Sequence, residues 1–273
     1  MKKFEGILIC TDLDGTLLSD DKTISKENLD AIERFKDGGG IFTFITGRMP
    51  FTAAEIYDQA KANAPYGCIN GGGLYDPTQK KYLWRQELDP SALELVDYVD
   101  SQIDGIGIQT NTFDRAYFYH DNSAMQYFRE VTGLPNTVKH YRDVDEPLAK
   151  IIFGDDDEEH ITRAAELLAS HPRASEFDFI RSEVRLYEIL PPNINKGTVL
   201  PILAKHVGVD MRRTIAVGDY NNDVGMLKAA GLGIAVANAV KEAKEAADLI
   251  TVSNEEHAIA QIINDIESGK ITI

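Results

Sequence analysis

Asp12-Leu13-Asp14-Gly15-Thr16 places two carboxylates with one residue between them, just after the apolar run Ile7 to Cys10 and Thr11. On an extended loop both can face one site, where one attacks phosphorus and the other handles a proton. Gly15 lets the backbone approach a bound group closely. An isolated Asp-x-Asp is usually a solvated acidic turn. Here a buried strand precedes it, and open α/β sheets bind their ligands at the carboxyl ends of strands. A calcium loop is excluded: counted from Asp12, Leu17 stands where such a loop needs glycine and Thr23 where it needs glutamate.

Three more stretches end apolar runs with polar groups. Thr46-Gly47-Arg48 offers a hydroxyl and a backbone N–H suited to phosphate oxygens. Thr46 also reads as a helix N-cap, and the roles are compatible because a helix N-terminus attracts anions. Lys196, in Asn195-Lys196-Gly197 after Pro191-Pro192, can neutralise charge on a phosphoryl group and on a nucleophilic carboxylate. The order Lys-Gly-Thr is not that of a P-loop. Gly218-Asp219 and Asn222-Asp223 supply hard oxygen ligands on a short loop, which suits Mg²⁺; a capped loop leading into a helix at Val224 is the plainer reading.

The elements that must position these groups alternate. Strands are expected at Gly6–Thr11 and Ile41–Ile45, unalternating as in a sheet buried on both faces, and helices at Ser25–Asp37 (N-cap Ser25) and Met49–Ala62. This predicts a Rossmann-like, doubly wound parallel sheet of α/β class. From about Lys80 the pattern changes. Strands are predicted at Tyr82–Glu87, Gly105–Thr110, Arg115–His120, Leu148–Phe153, Ser175–Ile180 and Val184–Leu190, with helices at Ser91–Gln102, Asn122–Thr132 and Asp157–Ser170. After Pro191-Pro192 the first pattern returns, with a helix from Gly197, a strand at Arg213–Val217, a helix from Val224, and further short strands and a helix up to Val252. The economical division is a core of residues 1–82 and 189–273 interrupted by an inserted α+β domain, 83–188.

The 273 residues carry net charge −16 without a basic stripe, which argues against a nucleic-acid surface. Only Cys10 and Cys68 are present, each in an apolar stretch, so buried thiols in a reducing, cytoplasmic setting are expected rather than a disulfide. The apolar run after Met1-Lys2-Lys3 is too short for a signal sequence, and no stretch approaches the ~20 apolar residues of a membrane helix.

Read jointly, the four motifs resemble the haloacid dehalogenase-like superfamily of phosphohydrolases, specifically its Cof-type branch (subfamily IIB). The likeness extends to Asn70-Gly71-Gly72, to Glu188 through Gly197, and to Met226-Leu227 and Ala237-Asn238-Ala239. It implies a Mg²⁺-dependent phosphatase acting on small phosphorylated metabolites through an aspartyl-phosphate, with the insertion as a type 2 cap. By that resemblance Asp12 is the nucleophile and Asp14 the acid and then base. Thr46, the Gly47 N–H, Lys196 and Asn222 bind or support the phosphoryl group. Asp12, the Asp14 carbonyl and Asp219 hold the metal, with Asp223 beside or among them. Asn70, Gly71, Gly72 and Arg48 face the substrate. Arg115, Tyr117, Tyr119, His120, Arg181, Arg185 and Tyr187 are the cap's candidates for specificity. His257 departs from the family pattern, which has glycine there. A sugar phosphomutase of the same superfamily and a non-catalytic phosphometabolite-binding protein are the alternatives; oligomeric state is left open.

Overall fold

The computed structural model describes residues 3–273. In chain order come β1 (Leu8–Thr11), α1 (Lys26–Asp37), β2 (Ile41–Phe44), α2 (Pro50–Ala60), β3 (Tyr66–Cys68), β4 (Gly73–Asp76) and β5 (Lys81–Arg85). Next are α3 (Ala92–Asp100), β6 (Gly107–Thr112), β7 (Ala116–Tyr119), α4 (Ser123–Thr132), β8 (Leu148–Gly154), α5 (Glu158–Ser170), β9 (Asp178–Glu183) and β10 (Leu186–Leu190). Then follow α6 (Lys196–Val207), β11 (Thr214–Gly218), α7 (Val224–Ala229), β12 (Leu232–Ala235), α8 (Lys241–Ala246), β13 (Leu249–Ile250) and α9 (Ala258–Glu267). The chain divides into two compact units: one runs to Arg85 and resumes at Asn195, and the other spans Gln86–Ile194.

In the first unit β1 and β11 are buried at every residue, the signature of strands covered on both faces. They lie side by side in a wholly parallel sheet ordered β13-β12-β11-β1-β2. From β1 the chain moves to β2 on one side; from β11 it moves to β12 and β13 on the other. Right-handed crossovers then put α1 and α7 on opposite faces, giving the doubly wound, Rossmann-like architecture. Ser25 caps α1, accepting from the Asn28 N–H at 3.3 Å, and buried Ala31, Ile32 and Phe35 form the helix's inner face. α1 packs against α9 and α6 against α7. Cys10 and Cys68 are buried and not joined in a disulfide, and burial pushes the Cys10 thiol far up.

Several elements differ from the expected pattern. The strand expected at Tyr82–Glu87 forms as β5 and pairs with β4 in a small antiparallel sheet, β3-β4-β5, in the first unit. β3 and β4 are too short and glycine-bearing for alternation to reveal them. The strand expected at Ser175–Ile180 starts later, because residues Ala174–Glu176 make a 3₁₀ turn, held where Arg173 Nη2 meets Glu176 Oε2 at 2.6 Å. α9 escaped because His257, with φ +63°, sits in the left-handed region where glycine is favoured, so the chain carries no conventional start signal.

The second unit is an antiparallel sheet, β7-β6-β8-β10-β9. One face packs on α3 and α5 through Leu95, Val99, Ile108, Ile151, Phe153, Leu168 and Ile189. Tyr117 is buried in that apolar face, and the partly buried Tyr119 and Tyr187 pack against it. At one end of the other face Met125 and Leu134 meet Phe118, Ile152 and Leu186. Gln109, Asn111, Lys150 and Glu188 are buried and share that face by strand alternation. No helix among the described residues is long and apolar enough to cross a membrane.

Candidate active site

β1 and β11 are neighbours in space from which the chain departs in opposite directions. The crevice beyond their carboxyl ends is the switch point at which such sheets place ligands. Asp12 follows β1 and Asp219 follows β11. The Asp12 N–H donates to Val217 O at 2.8 Å, which holds the nucleophile candidate against β11.

Lys196 is the first residue of α6. Asn195 caps the helix, its Oδ1 accepting from the Gly197 N–H at 2.8 Å, while Thr198 Oγ1 accepts from the Asn195 N–H at 3.2 Å. The lysine is wholly buried, and its Nζ donates to Asp12 Oδ1 and Asp223 Oδ1, both at 2.6 Å. Burial pulls its pKa down, but Asp12 and Asp223 outweigh that and raise it, so the ammonium stays charged. Gly71 makes this possible. Its φ is +96°, and a Cβ there would lie 2.0 Å from Asn195 O, at the start of α6. Gly71 and Gly72, expected to face substrate, are thus turn and packing positions; the Gly72 N–H donates to Ile69 O at 2.9 Å.

Asp223 Oδ2 accepts from the backbone N–H groups of Asp219 and Tyr220, at 2.8 and 3.0 Å. Both oxygens of Asp223 are therefore engaged, and the side chain orients Lys196 and the loop after β11. Thr16 Oγ1 donates to Asp219 Oδ1 at 2.8 Å. The carboxylate oxygens of Asp12, Asp219 and Asp223 approach within 4.8 Å of one another. Burial pushes the Asp12 carboxyl well above the usual range; Lys196 opposes the rise, while Asp223 and Asp219 add to it. Burial and then Asp223 push Asp219 up to about 7. One ammonium cannot balance three carboxylates. This donor set of hard oxygens, short of positive charge, fits a divalent cation. A Cβ on Gly15 would fall 2.6 Å from Asp219 Oδ2, so only glycine leaves that oxygen accessible.

Thr46 Oγ1 accepts from the Arg48 N–H at 3.1 Å, which leaves the hydroxyl proton to donate. Asn222 Nδ2 donates to Asn70 Oδ1 at 3.0 Å, while Asn222 Oδ1 is buried without a hydrogen-bond partner. Asn70 is itself held by its N–H on Thr46 O at 3.1 Å. These four motifs therefore converge on one place.

Asp14 is the exception. Its carboxylate takes two bonds from Arg48, Nε and Nη2 both at 2.8 Å, and one from Lys22 Nζ at 2.9 Å. Burial raises its pKa, but Arg48 and Lys22 together outweigh that and hold it at about 2. In this structure Asp14 is an ion-paired carboxylate outside the acidic cluster, and Arg48 is its partner. Lys22, in a turn with φ +65°, was not foreseen, nor was Asn254. Asn238 Nδ2 donates to Gly15 O at 2.8 Å and Asn238 Oδ1 accepts from the Asn254 N–H at 3.0 Å, bracing the Asp12 loop. Nothing local in the sequence marks Lys22; Asn254 is visible only as a polar residue in a turn.

A switch-point crevice on a doubly wound sheet, holding an aspartate, a buried lysine and an acidic loop, is the kind of site at which enzymes of α/β class handle anionic groups. The chain belongs to the haloacid dehalogenase-like hydrolase family, whose model matches residues 9–263. It is 30% identical over 258 residues to the 5-amino-6-(5-phospho-D-ribitylamino)uracil phosphatase YcsE of Bacillus subtilis, covering 94% of each chain. It is 29% identical over 262 residues to YitU, a phosphatase of the same name from that organism, covering 94% of this chain and 96% of the relative. A haloacid dehalogenase-like hydrolase from Bacteroides thetaiotaomicron superposes with a TM-score of 0.83 at 25% identity, over 96% of this chain and 100% of its own.

Proposed function

We propose that this protein is a Mg²⁺-dependent phosphatase that hydrolyses small phosphorylated metabolites through an aspartyl-phosphate on Asp12. The observation that carries the reading is the buried Lys196 ammonium shared between Asp12 and Asp223 at 2.6 Å, beside Asp219. Two relatives whose names specify a phosphorylated ribitylamino-uracil support a phosphomonoester substrate.

Phosphoryl transfer gains mainly from positioning and charge neutralisation. Asp12 attacks phosphorus, and the bond from phosphorus to the ester oxygen breaks. The leaving alkoxide takes a proton from Asp14, which must first take one up from solvent, being an ion-paired carboxylate in this structure. Asp14 then accepts a proton from water, whose oxygen attacks the aspartyl-phosphate; inorganic phosphate departs and the Asp12 carboxylate is restored. Asp14 must leave its clamp on Arg48 and Lys22 to carry that proton. Lys196 offsets charge as a dianion meets a carboxylate, while Thr46, the Gly47 N–H and Asn222 hold phosphoryl oxygens. Asp12, the Asp14 carbonyl and Asp219 would hold the metal, which supplies further charge neutralisation; Asp223 is occupied with Lys196. The unit Gln86–Ile194 acts as the cap that selects substrate.

The test is phosphate release with Mg²⁺ from a panel of phosphoesters, with the Asp12→Asn protein alongside. Release by the wild type and at least ~10⁴-fold less by the variant is expected, because an amide cannot serve as the nucleophile. Comparable release by both would overturn the assignment of Asp12.

A further inference from the structure

Between β3 and β4 the successive residues Ile69, Asn70 and Gly71 have φ of +56°, +50° and +96°. Glycine accepts that region freely and asparagine tolerates it, but a β-branched isoleucine is rarely found there. Ile69 and Asn70 are both 0% exposed, so this is no ordinary turn at the surface.

The turn grips the loop after β2. The Ile69 N–H donates to Arg48 O and the Asn70 N–H to Thr46 O, both at 3.1 Å. An extended strand points consecutive N–H groups to opposite sides, whereas a helical turn points them the same way. The left-handed turn thus lets two neighbouring donors hold one loop. The Asn70 side chain lies against that loop as well: a Cβ on Gly47 would fall 2.9 Å from Asn70 Oδ1.

This grip fixes a direction. The Ile45 N–H donates to Thr11 O of β1 at 2.9 Å, whereas the Thr46 N–H donates to Gly67 O at 3.0 Å, on the opposite flank. Thr46 O also points to that opposite flank, at Asn70. In a trans peptide the carbonyl and the following N–H point in opposite directions, and no peptide bond among the described residues is cis. The Gly47 N–H is therefore aimed back to the flank of β1, past whose last residue, Thr11, Asp12 lies.

We propose that Ile69 and Asn70 are positioning residues, whose strained turn aims the Gly47 N–H at the phosphoryl group beside Asp12. Strain of this kind persists only where the surroundings overdetermine it, and it gathers at functional sites. The proposal rests on the phosphatase reading for the group that Gly47 meets. It gives Asn70 a role through Gly47 in place of the expected contact with substrate.

The experiment compares alanine with glycine at each position, in the full chain with Mg²⁺. Both substitutions remove the side chain, but only glycine takes positive φ without strain. Ile69→Gly and Asn70→Gly should therefore melt higher than Ile69→Ala and Asn70→Ala, the reverse of the usual order. Phosphate release from phenyl phosphate is then measured well below melting. The kcat of each glycine variant should exceed that of its alanine counterpart about tenfold or more, with KM changed less, because a misaimed donor is missed chiefly in the transition state. A turn that serves stability alone would keep the melting order and give equal kcat. The last measurement needs no turnover: the Gly47 amide signal is followed by ¹H–¹⁵N NMR as inorganic phosphate is added. Saturable shifts are expected in the wild type and the glycine variants, and weaker ones in the alanine variants. Alanine variants that melt as high, equal kcat within both pairs, or a Gly47 signal unmoved by phosphate would each overturn the proposal. If the wild type hydrolyses no ester, the phosphatase reading fails, and the melting order with the Gly47 shift decides the role of the turn.

Discussion

Lys196 in the first unit and Lys150 in the second are both buried cations at hydrogen-bond distance from carboxylates, 2.6 Å and 2.8 Å. Around Lys196 the ammonium is fully engaged, but the charges do not balance, since Asp12, Asp219 and Asp223 crowd it. Lys150 pairs with Glu188, while neutral amide atoms of Gln109 and Asn111 beside them stay unpaired. The two clusters are incomplete in different ways, and only the first, with its excess of negative charge, calls for a cation. Burial alone does not tell the two apart; the inventory of what remains unsatisfied does.

The sharpest way to break this comparison is Lys196→Met. Losing the ammonium should lower kcat/KM for phosphate release by about 10²–10³-fold, the usual size for removing one electrostatic stabiliser. Steady-state kinetics on the purified variant measures this, and near-wild-type turnover would place Lys196 outside the chemistry. A smaller effect is expected at the second cluster, and it concerns stability. Lys150→Met and Glu188→Leu should each cost about 3–5 kcal/mol, because each removes one partner of a buried ion pair. The double variant should be close to neutral. Urea unfolding of the four proteins closes the cycle; two harmless single changes would mean the pair is not buried as a unit.

The smallest expected effect is a pH dependence. Asp219 has its folded pKa raised from 3.8 to about 7, so the folded state binds more protons in that interval. Stability of the metal-free protein should therefore fall as pH rises from 3.8 towards 7. Asp14 acts outside that window. Its pKa is lowered from 3.8 to about 2, so its contribution is fully present above 3.8 and lost only on acidification through 2. Melting curves across this range should show the slope, Mg²⁺ should flatten it, and Asp219→Asn should reduce it, leaving the part that Asp12 contributes. A slope unaffected by both would point to another titrating group.

Much of the candidate site was legible because each motif closes an apolar run. Ile7 to Cys10 before Asp12, Ile41 to Ile45 before Thr46 and Arg213 to Val217 before Gly218 all read as buried strands. A polar group at the end of such a strand has few other places to go. The second unit was less legible. Tyr117, Tyr119 and Tyr187 looked like recognition residues, but the register of β7 and β10 turns them to the apolar face beneath α3 and α5. The same register brings Gln109, Asn111, Lys150 and Glu188 to the opposite face, and a single strand read alone does not say which face is which.

The sequence by itself determined the helices and strands of the parallel sheet and the chemical character of its loops, because apolar periodicity and turn chemistry act over a few residues. Only the tertiary structure decided that Lys196 reaches Asp12 across 184 positions and Asp223 across 27. It alone decided that Arg48 and Lys22 hold Asp14 as a carboxylate, and that two buried amide atoms are left without partners. Strand order and register set these distances, and with them the desolvation and the neighbouring charges that fix each group's protonation. Those are properties of residues far apart in the chain, which no local pattern encodes.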